Sequence, residues 1–227
     1  MMKLPNIYTL IIVMTASSFS CITFAADIPL YPTGPSQDSA FVRFINGTDV
    51  NLSVVAGETK AKVSLNVNEP ASKYYPVATK VKITGEFSDG KVSNPISLNV
   101  KPSEFATVVA LASGSNLKQV IVKEQPDDFN ALKSSLALYN LSSTGCTSAG
   151  LLVVDRSITL FEKVQIGTLQ RRLINPVSLS VQLTCNTKPT GKVLDLGLLQ
   201  AGQRYSIFAV PTADSPRIFF ATDTIAR

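Results

Sequence analysis

The chain has 227 residues, a formal net charge of +5 and 45% apolar residues, and it contains neither histidine nor tryptophan. Without histidine no Ser-His-Asp triad or Cys-His pair can form, so the sequence predicts no catalytic residues. Three cysteines are too few for an all-thiolate zinc site, which needs four, and we expect no metal or other cofactor. The composition therefore favours a folded binding or scaffolding protein over an enzyme.

Residues 1–25 are predicted to be a secretory signal peptide. Lys3 is the one charge in this segment, and apolar stretches at 8–14 and 16–24 follow it. The small residues Thr23 and Ala25 suit a signal peptidase, so we expect cleavage after Ala25. The apolar stretch is short and is broken by Thr15, Ser17, Ser18 and Ser20, whereas a membrane-spanning helix needs about 20 mainly apolar residues. The mature product is therefore expected to be exported and soluble.

The mature chain alternates apolar and polar residues, for example over 63–67, 96–100 and 177–183. A period of two with β-branched residues predicts strands that have one wet and one dry face. Glycine and proline recur at intervals of roughly 8–12 residues, as in a β-sandwich. We predict an all-β fold of two tandem β-sandwich domains, Ig-like or jelly-roll-like, with about seven strands each.

Four pairs of segments repeat in the same order along the chain, and this indicates a duplicated domain. The pairs are 42–46 with 136–140, 75–83 with 175–183, 90–92 with 191–193, and 104–111 with 203–210. The predicted divisions are an extended arm at 26–36, a first domain at 37–123, a linker at 124–130 and a second domain at 131–222. The short acidic linker predicts halves that lie close together and are partly free to reorient.

Two cysteines, Cys146 and Cys185, remain after removal of the signal peptide. In an oxidising compartment an isolated pair usually forms a disulfide, here within the second domain, between a loop and the dry face of a strand. The alternative is two free thiols, one of them catalytic, but no histidine is present to act as its base.

The start of the mature chain, Leu30-Tyr31-Pro32-Thr33-Gly34-Pro35 followed by residues 39–46, resembles the AlgF family of periplasmic alginate O-acetylation proteins. The run 174–181 is similar to that family's Ile-Asn-Pro-Val stretch, and the final Ile225-Ala226-Arg227 also fits. The resemblance implies a non-catalytic periplasmic adaptor. Its implied partners are a membrane-bound O-acyltransferase that delivers acetyl groups and a periplasmic SGNH-type O-acetyltransferase. Cellulose is the alternative polymer, because related proteins serve its acetylation.

Eight residues are candidates for partner binding: Tyr31, Arg43, Asn46, Tyr74, Tyr75, Arg171, Arg172 and Asn175. Tyr31 lies in a proline-rich arm that would either dock as an extended peptide or be a disordered lead-in. Arg43 either faces solvent, which we favour, or pairs with a carboxylate. Asn46 begins a turn, and its alignment with Asn140 favours a structural role.

The pairs Tyr74-Tyr75 and Arg171-Arg172 fall at approximately the same place in the two repeats. Tyrosine and arginine are favoured anchors at interfaces, and arginine suits the carboxylates of a uronic-acid polymer. The competing interpretation of the arginines is an ordinary basic loop. The competing interpretation of the tyrosines is a half-buried corner.

Three other functions stay open at this point: a polysaccharide-binding module, a transferase with an unusual serine or cysteine nucleophile, and a pilus-type chaperone. The polysaccharide itself is also a possible partner. Lys60, Lys62, Lys80 and Lys82 form the densest basic group, on wet strand positions, and would attract polyanions weakly. No nucleic-acid motif accompanies them, so we expect no nucleic-acid partner.

Overall fold

The computed structural model describes residues 39–126, 129–142, 145–213 and 215–226. The predicted signal peptide and the arm with Tyr31 lie outside these residues. The described part forms four four-stranded sheets and one turn of 3-10 helix at Val154–Arg156. The predicted all-β fold of two tandem sandwiches is confirmed.

The first sandwich has eight strands in two sheets. Its inner sheet contains β1 (Ser39–Asn46), β4 (Tyr75–Ala78), β7 (Phe105–Ser113) and β8 (Asn116–Glu124). Its outer sheet contains β2 (Leu52–Ala56), β3 (Lys62–Leu65), β5 (Ile83–Ser88) and β6 (Ser93–Leu98). The strand orders are β4-β1-β7-β8 and β3-β2-β5-β6.

The second sandwich repeats this arrangement. Its inner sheet contains β9 (Ser134–Asn140), β12 (Thr168–Ile174), β15 (Arg204–Val210) and β16 (Arg217–Thr222). Its outer sheet contains β10 (Ser148–Val153), β11 (Ile158–Gln165), β13 (Ser178–Cys185) and β14 (Lys188–Leu198). The orders β12-β9-β15-β16 and β11-β10-β13-β14 match the first half strand for strand, so each half has eight strands rather than about seven.

Strand register supports two of the four repeat matches. Asn46 lies opposite Ala110 in the parallel pair β1–β7, and Asn140 lies opposite Ala209 in the parallel pair β9–β15. The other two matches are wrong in detail. Residues 75–77 begin β4, whereas 175–177 connect β12 to β13. Gly90 lies in a turn, whereas Gly191 lies inside β14. Connections of different length shift these short strings onto different elements.

Asn46 and Asn140 have the same structural role in the two halves. Each side-chain amide is buried and donates to two main-chain carbonyls at 2.7–3.2 Å. Each side-chain oxygen accepts from the residue two positions later, Thr48 or Ser142. A short polar side chain thereby replaces main-chain partners where the first strand of each sandwich ends.

The two inner sheets pack against each other through a buried cluster that both sandwiches supply. Its buried members are Ile45, Val109, Leu111, Val122, Ala137, Tyr139, Leu141, Phe208 and Val210. Strands β1, β7, β9 and β15 are consequently buried on both faces. The expectation of one wet face is wrong for these four strands. Contrary to the expected freedom of the halves, this shared core holds them together.

Candidate functional site

The most extensive polar network in the described part of the chain lies between the two inner sheets. Its centre is Arg43, which projects from the middle of β1 towards the second sandwich. The guanidinium donates to Asp223 Oδ1 (2.6 Å), Thr107 Oγ1 (3.0 Å), Tyr139 OH (3.1 Å) and Ser206 Oγ (2.8 Å). These groups join β1 and β7 of one half to β9, β15 and the chain after β16 of the other.

The favoured prediction for Arg43, a solvated strand face, is wrong. Its side chain is 1% exposed, and its carbon Cζ lies 4.4 Å from the centre of the Tyr74 ring. The alternative prediction, a carboxylate partner, holds. A buried arginine requires such a partner because an isolated charge in the interior costs many kcal/mol.

Arg171 on β12 extends the network to the edge of the interface. It donates to Asp223 Oδ2 at 3.1 Å and, through two nitrogens, to both oxygens of Glu124 at the end of β8. Arg204 adds a longer contact to Glu124 at 3.4 Å. Three arginines and two carboxylates therefore link the halves, and the fork-shaped pairing of Arg171 with Glu124 is a strong geometry for such a contact.

The two carboxylates occupy equivalent places in the repeat. Glu124 lies opposite Phe105, at the start of β7, and the Asp223 N–H donates to Arg204 O at the start of β15. Each half thus has an acid at or directly after the end of its last strand, and that acid contacts an arginine of the other half. The interface therefore has approximate two-fold character, as in a symmetric dimer.

The pairs Tyr74-Tyr75 and Arg171-Arg172 also occupy equivalent places in the two halves, as the strand register shows. Tyr75 lies opposite Val42 on β1, and Arg172 lies opposite Leu136 on β9, in matching registers. Tyr74 and Arg171 therefore both face the interface.

Main-chain hydrogen bonds also join the halves at Tyr74. The Tyr74 N–H donates to Thr224 O at 2.8 Å, and the Ala226 N–H donates to Tyr74 O at 2.7 Å. The segment after β16 thereby pairs, around Ile225, with Tyr74, the residue that precedes β4. Buried charges, a shared apolar core and backbone pairing act together at this interface.

The electrostatics of the network favour its charged form. Burial by itself raises the pKa of Asp223, but Arg43 and Arg171 more than offset this and hold that pKa below its ordinary value. Burial likewise lowers the pKa of Arg43, and Asp223 with the neighbouring tyrosines raises it overall. Burial raises the pKa of Tyr74 well above its ordinary value, so this phenol stays neutral.

The depressed pKa of Asp223 predicts a specific loss of stability in acid. Its contribution is present above the unfolded-state pKa of about 3.9 and is lost as pH falls through the lower folded-state value. Asp223→Asn should therefore unfold more easily than the native chain at pH 7, and this difference should shrink below about pH 4. Urea unfolding at several pH values measures it. The exposed Asp155→Asn is the control and should change stability by less than about 0.5 kcal/mol.

Burial separates the predicted partner-binding residues into two groups. Arg43, Asn46, Tyr74 and Arg171 have their side chains bonded inside the protein, so this structure offers none of them to a partner. The contacts that the structure shows for these four side chains are internal ones, and their role in partner binding stays a prediction. Tyr75 is half-buried, whereas Arg172 and Asn175 are exposed.

Sequence reasoning did not identify Asp223, Glu124, Thr107, Tyr139 or Ser206 as parts of this network. Thr107 and Ser206 each interrupt an apolar run, at 105–111 and 205–210. Both hydroxyls occur at the same place in the two repeats, and both runs are typical of a strand that is buried on both faces. This pattern was the available signal for a buried polar network.

The predicted disulfide is present. Cys146, in the loop before β10, is joined to Cys185, the last residue of β13, with 4.7 Å between their Cα atoms. The side chain of Asn186 adds hydrogen bonds to the same loop, at Gly145 and Thr147. The bridge lies wholly within the second sandwich.

Other site chemistry is sparse in the described residues. No group of three His, Cys, Asp or Glu within them could hold a metal ion. Phe129 is the single exposed aromatic ring there, and Arg204 lies over it at 5.1 Å. Tyr74, one of the two tyrosines considered as interface anchors, is buried. In the same residues, no helix has the length and apolar character needed to cross a membrane.

Comparison with known proteins decides the family. The model of the family described as "Alginate O-acetyl transferase AlgF" matches residues 13–205. The chain belongs to the AlgF family. The alginate biosynthesis protein AlgF of Pseudomonas fluorescens is 26% identical over 190 residues, which cover 84% of this chain and 81% of that protein. Membership in AlgF makes this an alginate O-acetylation-related protein.

Two solved structures are similar to parts of the chain. The C-terminal domain of AlgF from P. aeruginosa is 20% identical and has a TM-score of 0.34, covering 40% of this chain and 98% of that domain. A family-26 carbohydrate-binding module from Eubacterium rectale, in complex with maltoheptaose, is 8% identical and has a TM-score of 0.27. The match covers 80% of this chain and 96% of that module. At these scores neither likeness says what this chain binds.

Proposed function

We propose that this chain is a non-catalytic periplasmic adaptor for exopolysaccharide O-acetylation, with alginate as the polymer. It would link the membrane-bound O-acyltransferase that delivers acetyl groups to a periplasmic SGNH-type O-acetyltransferase. Export through the predicted signal peptide would place it between them. Holding both enzymes on one body raises their effective concentration without new chemistry.

The shared interface is the observation that carries this proposal. Four sheets are stacked in the order outer, inner, inner, outer, and packed sheets lie about 10 Å apart, so the outer sheets are separated by about 30 Å. The apolar cluster and the ionic network fix that separation. A rigid spacer with two distinct outer surfaces suits a protein that positions two partners.

The residues also argue against catalysis by this chain. It has no histidine for the triad of an SGNH enzyme. Cys146 and Cys185 are joined, so neither supplies a thiolate. Ser206 contacts the carboxylate of Asp223 but is completely buried between the inner sheets. The word transferase in the family's description would then refer to the complex in which the protein acts.

Reconstitution tests the adaptor role. We expect the immobilised transferase to capture the acyltransferase in detergent only when this chain is added. Alanine substitution should begin with the exposed Arg172 and Asn175 on the second sandwich and the half-buried Tyr75 on the first. Acetyl release from a chromogenic ester by the purified chain, abolished by a single serine substitution, would replace the adaptor role with an enzymatic one.

A further inference from the structure

Exposed apolar side chains gather at one end of the second sandwich. The described residues expose eleven large apolar side chains, and six of them lie where β9, β11 and β15 begin and where β10, β12 and β14 end. Leu132 and Leu198 are the most exposed of the six, at 79% and 64%. We call this set the apolar end, and its members are Phe129, Leu132, Val154, Ile158, Leu173 and Leu198.

The connections that carry these side chains are neighbours. Before β9, the carbonyl of Lys133 accepts from the Gly202 N–H of the β14–β15 turn at 2.8 Å. The Nζ of the same lysine donates to Asn175 in the β12–β13 connection. In the outer sheet Val153 pairs with Val181, so the 3-10 turn that follows Val153 lies beside the start of β13. Four neighbouring connections therefore form one surface.

Other side chains close the core of the second sandwich at this end. Leu179, Leu196 and Leu199 are buried there, whereas Leu132 and Leu198 lie in solvent. Leaving large aliphatic side chains in water forgoes the free energy of burying them. Apolar side chains grouped on one exposed surface often mark a binding site. A partner that covers the apolar end would recover that free energy.

Cations surround the apolar end. Lys133 directly follows Leu132 in the chain, Arg172 lies on the last turnward part of β12, and Arg156 ends the 3-10 turn. The acids that accompany them are Asp155 on that turn and the two aspartates of the linker, at 127–128. Charge at the apolar end itself is therefore balanced, and the adjoining part of the molecule decides its sign.

The adjoining end of the first sandwich is basic. Glu124 lies opposite Phe105, close to the start of β1, and contacts Arg204 at the start of β15, so the two ends lie on the same side of the molecule. Exposed lysines outnumber the acids there, with Lys60, Lys62, Lys80, Lys82 and Lys101 against Glu58, Glu86 and Glu104. An apolar surface beside an excess of cations complements a bilayer whose anionic headgroups cover hydrocarbon.

We propose that the apolar end inserts shallowly into the surface of an anionic phospholipid bilayer. Leu132, Leu198 and Ile158 would enter below the headgroups, and the cations of the same side would contact the phosphates. Separate side chains can enter lipid without a partner of matching shape. The excess of cations opposes pairing of two copies through this side, because like charges would then face each other. This inference goes beyond the adaptor role, which does not require a lipid-binding surface.

Co-sedimentation with large unilamellar vesicles tests the proposal on residues 26–227, because the apolar residues 1–25 would themselves bind lipid. The native chain should bind vesicles of phosphatidylglycerol and phosphatidylethanolamine at least about tenfold more tightly than vesicles of phosphatidylcholine. Binding should weaken as ionic strength rises from about 10 to 500 mM. The double variant Leu132→Asn with Leu198→Asn should bind the anionic vesicles at least about tenfold more weakly.

The matched control removes two exposed apolar side chains from the opposite end of the molecule, as Val50→Asn with Ile166→Asn. These residues are 50% and 42% exposed. Val50 follows the end of β1, and Ile166 precedes β12 where β9 ends. The control should change vesicle binding less than about twofold. Both double variants should melt within about 3 °C of the native chain, since they alter exposed side chains alone.

An environment-sensitive fluorophore reports insertion directly. Attached to Leu132→Cys it should brighten with anionic vesicles, whereas on Ile166→Cys it should not; Cys146 and Cys185 are joined and do not take the label. No binding by the native chain, equal binding to both kinds of vesicle, or equal weakening by both double variants would overturn the proposal. So would an apolar-end variant that binds vesicles normally but no longer captures the acyltransferase, since this end would then fit a protein. If the adaptor role alone fails, the native chain will bind the anionic vesicles and capture neither enzyme.

Discussion

Replacing Arg43 by methionine is expected to lower the free energy of unfolding by about 3–5 kcal/mol, the usual cost of removing one partner from a buried ion pair. The change leaves the Asp223 carboxylate with one arginine instead of two. It also removes the donor that Thr107, Tyr139 and Ser206 accept from. Urea unfolding followed by circular dichroism measures the effect.

Two further variants keep this prediction decisive. Arg172→Met removes an exposed arginine beside the network and should cost less than about 0.5 kcal/mol. The double variant Arg43→Met with Asp223→Asn removes both charges and should be more stable than the sum of the single effects predicts. A loss below 1 kcal/mol for Arg43→Met alone would show that the network does not stabilise the interface.

Loss of the disulfide is expected to destabilise the protein by about 3–4 kcal/mol, since the bridge closes a loop of 39 residues and restricts the unfolded chain. Both cysteines are buried, so Cys146→Ala with Cys185→Ala should show the same loss as the reduced native chain plus a small packing cost. Unfolding in the presence and absence of a reductant provides the measurement.

The control for this second prediction is the double variant itself. A reductant should not change its midpoint, because the described part of the chain contains no other cysteine. If reduction leaves the native chain as stable as before, the hydrogen bonds of Asn186 to the loop must hold it without the bridge.

Much of the fold was predictable because alternation and repetition are local properties of the chain. The tandem sandwiches, the repeat offsets at Asn46 and Asn140, and the Cys146–Cys185 bridge followed from period, spacing and compartment. The place of each short repeated segment could not be predicted from spacing alone. Connections of unequal length put 175–177 and Gly191 on elements that differ from those of 75–77 and Gly90.

The site could not be predicted in the same way, because the interface depends on which sheet faces which. Arg43 resembles any charged residue on a strand until β9 and β15 are placed opposite it. Asp223 could not be recognised as the partner of Arg43 for the same reason, because the two residues lie 180 positions apart in the sequence. The apolar runs of β7 and β15 did contain a signal for strands buried on both faces, and alternation elsewhere obscured it.

The two sandwiches form one body through their facing inner sheets. Introducing a protease site into the connection between β8 and β9, after Glu124, and cutting it tests this directly. The disulfide lies in the second half, so no covalent bond would then connect the pieces. We predict that the cut halves elute together on gel filtration and unfold in one transition. Separation of the two pieces in native buffer would contradict the account.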